Sequence, residues 1–235
     1  MSGAAIEARG LARRFGALVA LHPLDLDVAP GRVLAVVGPN GAGKSTLIRL
    51  LSGLARPSSG RVAIGEPSAD RRSRRARIGL VAHDTLLYPV LTARENLRFA
   101  GRLFGVADPA ARADALLQRF ELGAVAERRV GTFSRGTAQR VAIARALVHE
   151  PALLLLDEPF SGLDPRAAER LEELLRGLAG RCTIVFASHD LPRAARLAQQ
   201  GLLLAGGRGR ELDPALLRYG DALAAAVAQA TRPAS

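Results

Sequence analysis

Val33-Leu34-Ala35-Val36-Val37 followed by Gly38-Pro39-Asn40-Gly41-Ala42-Gly43-Lys44-Ser45-Thr46 is the stretch on which the fold turns. An unbroken apolar run of this length, ending at a glycine, reads as a fully buried strand. The residues after it satisfy GxxxxGK[ST], the phosphate-loop pattern, in its required context between a strand and a helix. Glycines there let backbone N–H groups converge on phosphates, and the amino terminus of the next helix adds a favourable dipole. The periodicity predicts that helix over about 43–54, with Leu47, Leu50, Leu51 and Leu54 on one face and Pro57 and Gly60 ending it. Lys44 can reach the β- and γ-phosphates of a nucleotide, and Ser45 can hold Mg²⁺. The competing reading, a glycine-rich turn with a chance lysine, leaves one fact unexplained. Of 33 basic residues Lys44 is the only lysine. A compact ammonium between phosphates is a place where a planar guanidinium is a poor substitute.

A second motif, Leu153-Leu154-Leu155-Leu156-Asp157-Glu158, sets two acids at the carboxyl end of another apolar strand. Open α/β sheets bind ligands at that end. Asp157 can support the Mg²⁺ shell through water, and Glu158 can orient or deprotonate an attacking water. Acids ending a strand are common by themselves; behind a phosphate loop they acquire a purpose. A third apolar strand is expected over 183–186 and a helix around 171–178 between the two. Alternation of this kind implies a parallel sheet of the α/β class.

Around this core, residues 1–33 alternate apolar and polar positions and read as short antiparallel strands, and 61–82 as strand and loop. Between Thr92 and His149 the pattern turns helical. Thr92-Ala93-Arg94-Glu95 has capping-box spacing ahead of Leu97, Phe99 and Leu103, Pro109 opens a second helix with Leu116, Leu117 and Phe120, and Ser134 precedes a third with Val141, Ile143, Ala144 and Leu147 facing inward. Gly201 to Leu212 reads as a closing hairpin, and Ala222 to Ala230 as a short helix. No internal repeat is evident.

The net charge of +11 is compatible with nucleic acid, an anionic membrane surface or neither. The densest basic run, Arg71 to Arg77, has little aromatic interleaving and reads first as a solvated loop, and the absence of Trp argues against a stacking platform for single strands. The lone Cys182 sits in an apolar run, consistent with a reducing cytosol and a buried thiol. No stretch approaches the roughly 20 apolar residues of a membrane span. The first residues hold no apolar signal core, so a cytoplasmic chain is expected.

Up to this point the residues support a P-loop NTPase. Ser134-Arg135-Gly136-Thr137-Ala138-Gln139-Arg140 resembles the signature sequence of ABC transporters, Ser161-Gly162-Leu163-Asp164 their D-loop, and Ser188-His189-Asp190 their switch histidine. Phe15 matches the aromatic that stacks on adenine. The resemblance implies one ABC-type nucleotide-binding domain over 1–235, with a RecA-like parallel core, an antiparallel β subdomain and a helical insertion over about 92–149. It implies ATP and Mg²⁺ as cofactors and a head-to-tail homodimer or heterodimer with a second such domain. Each ATP would then lie between one chain's phosphate loop and the Ser134–Gly136 region and Asp164 loop of the other. It also implies a separate transmembrane permease that holds the chain peripherally on the cytoplasmic face of the membrane. Nucleic acid is not expected as a partner, because soluble ABC proteins of that kind carry two such domains or a long coiled-coil insertion. A regulatory module that holds ATP without turnover is opposed by Glu158 and His189.

The sequence departs from the family's pattern in two places. Arg135 stands where a second glycine is usual, with Thr137 near the usual glutamine. His83 stands where the Q-loop glutamine is expected, eight residues before Leu91. A neutral imidazole can accept a hydrogen bond or bind a metal, and a protonated one cannot. His83 and the run Leu91 to Leu97 resemble the haem-exporter ATPases of cytochrome c maturation. A second similar group is the ATPases of drug or polysaccharide exporters. His22 and His149 read as satisfied core histidines.

Overall fold

The computed structural model describes residues 3–65, 71–218 and 220–230. The alternation along each core strand decides how its layers assemble. On β3 (Val33–Val37), Val33, Ala35 and Val37 face one hydrophobic cluster while Leu34 and Val36 face another. The same parity holds on β6 (Leu153–Asp157) and β7 (Thr183–Ser188), where Leu154, Leu156, Ile184 and Phe186 face the first cluster and Leu153, Leu155, Val185 and Ala187 the second. Successive side chains leave a strand on opposite faces, so a strand apolar throughout must be covered on both.

These strands form a six-stranded sheet in the order β5-β6-β7-β3-β8-β9, with β5 (Ile78–Val81), β8 (Gln200–Ala205) and β9 (Arg208–Leu212). All neighbours are parallel except the β8–β9 hairpin, which turns at Gly206-Gly207. Below one face lies a separate antiparallel sheet, β2-β1-β4, built from β1 (Ile6–Phe15), β2 (Leu18–Val28) and β4 (Ser59–Ile64). It shares its cluster with α1 (Lys44–Leu51). The other face carries α3 (Ala93–Leu103), α4 (Pro109–Arg119), α5 (Arg135–Ala146) and α6 (Pro165–Leu178), then α7 (Leu191–Leu197) and α8 (Gly220–Ala230).

The helix starts obey their sequence signals. Thr92 Oγ1 accepts from Glu95 N at 3.1 Å while Glu95 Oε2 accepts from Thr92 N at 2.8 Å, a complete capping box. Ser134, Asp164 and Asp190 cap α5, α6 and α7 with their side-chain oxygens.

Four expectations are corrected. α1 stops at Leu51 with Ser52 as cap, and Gly53 at φ 71° turns the chain ahead of Pro57, so Leu54 is left exposed. The basic run is not a loop: Arg71–Ala76 is a short helix, α2, in keeping with arginine's good helix propensity. On α3 the buried face is Ala93, Asn96, Leu97 and Ala100, leaving Phe99 and Leu103 on the surface. β1 and β2 are long strands of 10 and 11 residues rather than short ones, kept continuous by register shifts. Among the described residues no helix is long and apolar enough to cross a membrane.

The segment after β5 is tied down from two sides. Buried Asn96 accepts from Tyr88 N at 2.8 Å and donates to Tyr88 O at 3.1 Å and Thr92 O at 2.9 Å. Arg145 donates to Leu86 O at 2.7 Å and Leu80 O at 3.1 Å. Asn96→Ala leaves the Tyr88 N–H without its acceptor, while Tyr88 O and Thr92 O keep backbone donors in Leu91 N and residue 96 N, and a buried group left unpaired costs roughly 1–3 kcal/mol. Thermal denaturation should show a clearly lowered Tm and hydrogen exchange a faster Tyr88 amide; an unchanged Tm would count against this anchoring role.

Candidate functional site

The phosphate loop needs glycine at two places for steric reasons. Gly38 has φ 147°, and a Cβ there would lie 2.0 Å from Leu204 O. Gly43 has φ 102°, and its Cβ would lie 2.6 Å from Ala20 O. Both conformations are closed to ordinary L-residues, so the loop can pass between β2 and β8 only with glycine at these positions. The loop delivers Lys44 at the first turn of α1, buried to 6 % exposure. Its Nζ donates to Gly38 O at 2.8 Å and Pro39 O at 3.1 Å, and lies 3.7 Å from Glu158 Oε1.

Glu158 follows β6 at φ 53°, an uncommon backbone for a non-glycine residue and one that clusters at functional sites. Its N–H donates to Ala187 O on neighbouring β7 at 3.0 Å. From the end of β7, His189 Nδ1 meets Glu158 Oε2 at 2.9 Å. One carboxylate therefore faces the ammonium with one oxygen and the imidazole with the other.

Lys44 and Glu158 lie at a cavity of about 720 Å³, with His189 outside its lining. Asn40 to Thr46, His83 and Glu158 line it, with Phe15 at the rim. Phe15 is 47 % exposed, with the Arg13 guanidinium 4.4 Å from its ring centroid. Sequence reasoning did not find Leu18, Val19, Ala20, Arg49, Gly206 and Gly207, which line it too. Gly207 N donates to Ala42 O at 3.2 Å, so the glycine pair at the β8–β9 turn supports the phosphate loop as well as closing a hairpin. The doublet was visible in the sequence; its neighbour was not.

The remaining candidates are placed differently. Gly38 and Pro39 enter through their carbonyls. Asp157 is buried beside Glu158, and its Oδ1 has no hydrogen-bond partner among the described residues. A buried acceptor left unpaired calls for a donor, and the water shell of a cation held by Ser45 would supply one; these residues fit Mg²⁺. Ser134, Gly136 and Asp164 are not at this cavity. Ser134 Oγ accepts from Thr137 N at 3.3 Å, and Asp164 Oδ1 accepts from Ala167 N at 2.9 Å. Within one chain Ser134 and Asp164 are helix caps, and Gly136 lies in the first turn of α5. His83 lines a second cavity of about 490 Å³ as well, shared with Asp84, Arg135 and Gln139.

His149 is not a satisfied core histidine. It stacks on Phe104 with centroids 3.8 Å apart, and its ring nitrogens make no well-formed hydrogen bond, the Ile78 backbone being the only polar group that acts on them as a weak partner among the described residues. Burial pushes it down to about 4, which keeps it neutral. For His22 the backbone N–H donates to Gly207 O at 2.8 Å. Burial pushes the Cys182 thiol up to about 12, so it stays protonated and inert.

The ABC transporter family model matches residues 21–161. The chain is 40 % identical over 213 residues to the Nod factor export ATP-binding protein I of Burkholderia orbicola, covering 88 % of this chain and 70 % of that protein. It is 39 % identical to a daunorubicin resistance ATP-binding protein of Streptomyces coeruleorubidus, covering 88 % and 66 %. It is 41 % identical to the molybdenum import ATP-binding protein of Mycobacterium tuberculosis, covering 84 % and 58 %. Among solved structures it is similar to an ABC transporter ATP-binding subunit, with TM-score 0.82 and 31 % identity over 95 % of this chain and 99 % of that one. A dimeric ATP-binding cassette in a post-hydrolysis state with ADP and Pi gives 0.79 and 28 % over 89 % and 98 %.

Lys44→Ala should reduce kcat/KM for ATP by roughly 100-fold or more, the scale of losing a placed charge donor. Lys44→Arg should fare badly too, because a fork does not fit a point-charge site. Near-normal hydrolysis by purified Lys44→Ala would refute the assignment. At the cavity wall, His83→Gln should keep steady-state turnover while His83→Ala loses it; equal rates in both would make His83 a bystander.

Proposed function

The chain belongs to the ABC transporter family, and from that membership we propose that it powers export through a separate membrane permease, as a single nucleotide-binding domain over 1–235 with a helical insertion over about 92–149. It is an ABC-type ATPase with an α/β P-loop fold. The observation that carries the reading of the site is the Glu158 carboxylate between Lys44 and His189 at the mouth of the phosphate cavity.

In this proposal ATP stacks its base on Phe15 and lays its phosphates along Gly38 to Thr46. Lys44 exchanges its two carbonyl partners for β- and γ-phosphate oxygens, a small movement for an ammonium already placed there. Ser45 and, through water, Asp157 would hold Mg²⁺, which when bound would supply positive charge to the phosphates. Glu158 accepts a proton from the attacking water. His189 Nδ1 fixes one Glu158 oxygen, leaving the other directed at the phosphate side.

Ser134, Gly136 and Asp164 stand away from this chain's own cavity, which supports assigning them to the nucleotide of a second domain packed head to tail. The solved cassette is dimeric in its post-hydrolysis state, which supports pairing with a second domain. The permease reading draws on an exposed apolar strip outside the nucleotide cavity, formed by Leu86, Tyr88, Val90 and Phe99. Tyr88 and Phe99 meet edge to face with centroids 5.1 Å apart. Clustered exposed apolar side chains of this kind mark interaction sites. It adjoins His83 through Asp84 to Pro89, so a permease docked there would sense the cavity. The chain would then lie peripherally on the cytoplasmic face of the membrane.

The relatives named for Nod factor export and daunorubicin resistance support the drug or polysaccharide exporter group. The three relatives named above are not named for haem, so haem export rests on the resemblance carried by His83 and the run Leu91 to Leu97. The molybdenum import protein shares a smaller part of its length with this chain and lends export no support.

Glu158→Gln tests the catalytic and dimer readings together. It keeps the shape and removes the base, so it should bind ATP, turn it over at least roughly 100-fold more slowly, and accumulate as an ATP-held dimer in light scattering. Wild-type turnover would remove Glu158 from the mechanism. A strictly monomeric variant at saturating Mg-ATP, with or without the permease, would remove the head-to-tail arrangement.

A further inference from the structure

We propose that Arg193 is a positioning residue for hydrolysis, clamping the two segments that carry Glu158 and His189. The proposal rests on the roles given to those two residues above. Each sits just beyond a strand end, outside regular structure, and they come from segments 31 residues apart. Their 2.9 Å contact needs both segments held in register.

Arg193 touches both. Its Nη1 donates to Asp190 Oδ2 at 2.6 Å and its backbone N to Asp190 Oδ1 at 3.0 Å, fixing the cap immediately after His189. The same guanidinium lies 4.8 Å from the ring centroid of Phe160, two residues beyond Glu158. Phe160 in turn packs edge to face on Phe186 of β7, with centroids 6.3 Å apart.

The clamp has its own anchor. Arg193 Nε donates to Glu172 Oε2 at 3.4 Å, and Arg196 donates to the same carboxylate at 3.1 and 3.2 Å. Arg176, one turn along α6, is a further partner. Burial pushes the Glu172 carboxyl up, but hydrogen bonds and charges from Arg196, Arg176 and Arg193 outweigh it and hold the group below its usual range. A buried carboxylate on rigid α6 thus holds an arginine whose planar face and edge serve two different segments. Only a guanidinium offers both at once.

Steady-state hydrolysis, ATP affinity by a fluorescent ATP analogue and Tm should be measured for wild type, Arg193→Met, Arg193→Lys, His189→Ala, Glu158→Gln and the double variant Arg193→Met/His189→Ala. Misplacement of reacting groups by about 1 Å can cost on the order of 100-fold. Arg193→Met should therefore lower kcat at least about tenfold with KM and affinity little changed. Arg193→Lys, which keeps the Asp190 pair and loses the planar face, should fall between. Added to His189→Ala, Arg193→Met should cost little more, because both act through one contact.

A kcat within about twofold of wild type for Arg193→Met, or a full additive loss in the double variant, would overturn the proposal. If Arg193→Met does not fold, Arg193→Lys decides by the same split between kcat and KM. Glu158→Gln separates the two levels. If it is inactive while Arg193→Met is active, only the clamp is wrong; if it is as active as wild type, the site reading fails and the clamp with it.

Discussion

Parallel pairing of β3, β6 and β7 is the constraint on which the rest of the structure depends. The register runs Leu34 against Val185 and Val185 against Leu155, so the three strands end level with one another. The segment beyond each strand end is then fixed in space: the phosphate loop after β3, Glu158 after β6, and His189 after β7. A ligand at the carboxyl ends of the sheet meets all three at once. A slip of one residue in any pair would exchange the two apolar faces and break both clusters. The register of the reactive groups is therefore protected by the burial of side chains that never touch them.

The polar contacts at the strand ends share a second property. Each important group has a protein partner that a substrate can replace or share. The Lys44 ammonium rests on the carbonyls of Gly38 and Pro39 and near Glu158 Oε1. Its charge is thereby kept in a buried place, where an ammonium with no partner would be costly. Glu158 is restrained by both Lys44 and His189, and its positive φ is held by the hydrogen bond from its N–H to β7. Such strain persists only where the surroundings over-determine it, and here a strand partner, an ammonium and an imidazole do so.

Much of this was legible because the deciding signals are local. The loop glycines, the apolar runs of β3, β6 and β7, and the capping residues Thr92 and Ser134 each act within a few positions of themselves. Where sequence reading went astray, a distant neighbour or a competing terminator had decided the outcome. Leu54 continues the apolar face of α1 on paper, yet Ser52-Gly53 ends the helix first. Phe99 and Leu103 look like core residues of α3, but the core lies under Leu97 and Ala100, and the strip they leave bare is outside the sheet's reach. Ala20 and Gly207 reach the cavity wall through backbone atoms, which carry no residue-type signature. Arg193 and Glu172 lie 21 positions apart, and both look like ordinary surface charges until α6 and α7 are packed together.

The two departures from the family's pattern meet in one place. Arg135 replaces a glycine in the signature stretch, and its stem lies against Gly162 of the D-loop, where a Cβ would stand 3.1 Å from it. The same arginine lines the second cavity with Asp84 and His83, and His83 also lines the nucleotide cavity. The imidazole is thus a common wall between the phosphate-loop cavity and the surface where α5 begins. A glycine at 135 would leave that surface without its cation, and a glutamine at 83 would give the wall a neutral amide at every pH. Each replacement therefore changes an environment that the other helps to form. Effects at 83 and 135 are expected to depart from additivity, as they do for residues that share a cavity, so neither can be understood as a substitution in an otherwise standard site.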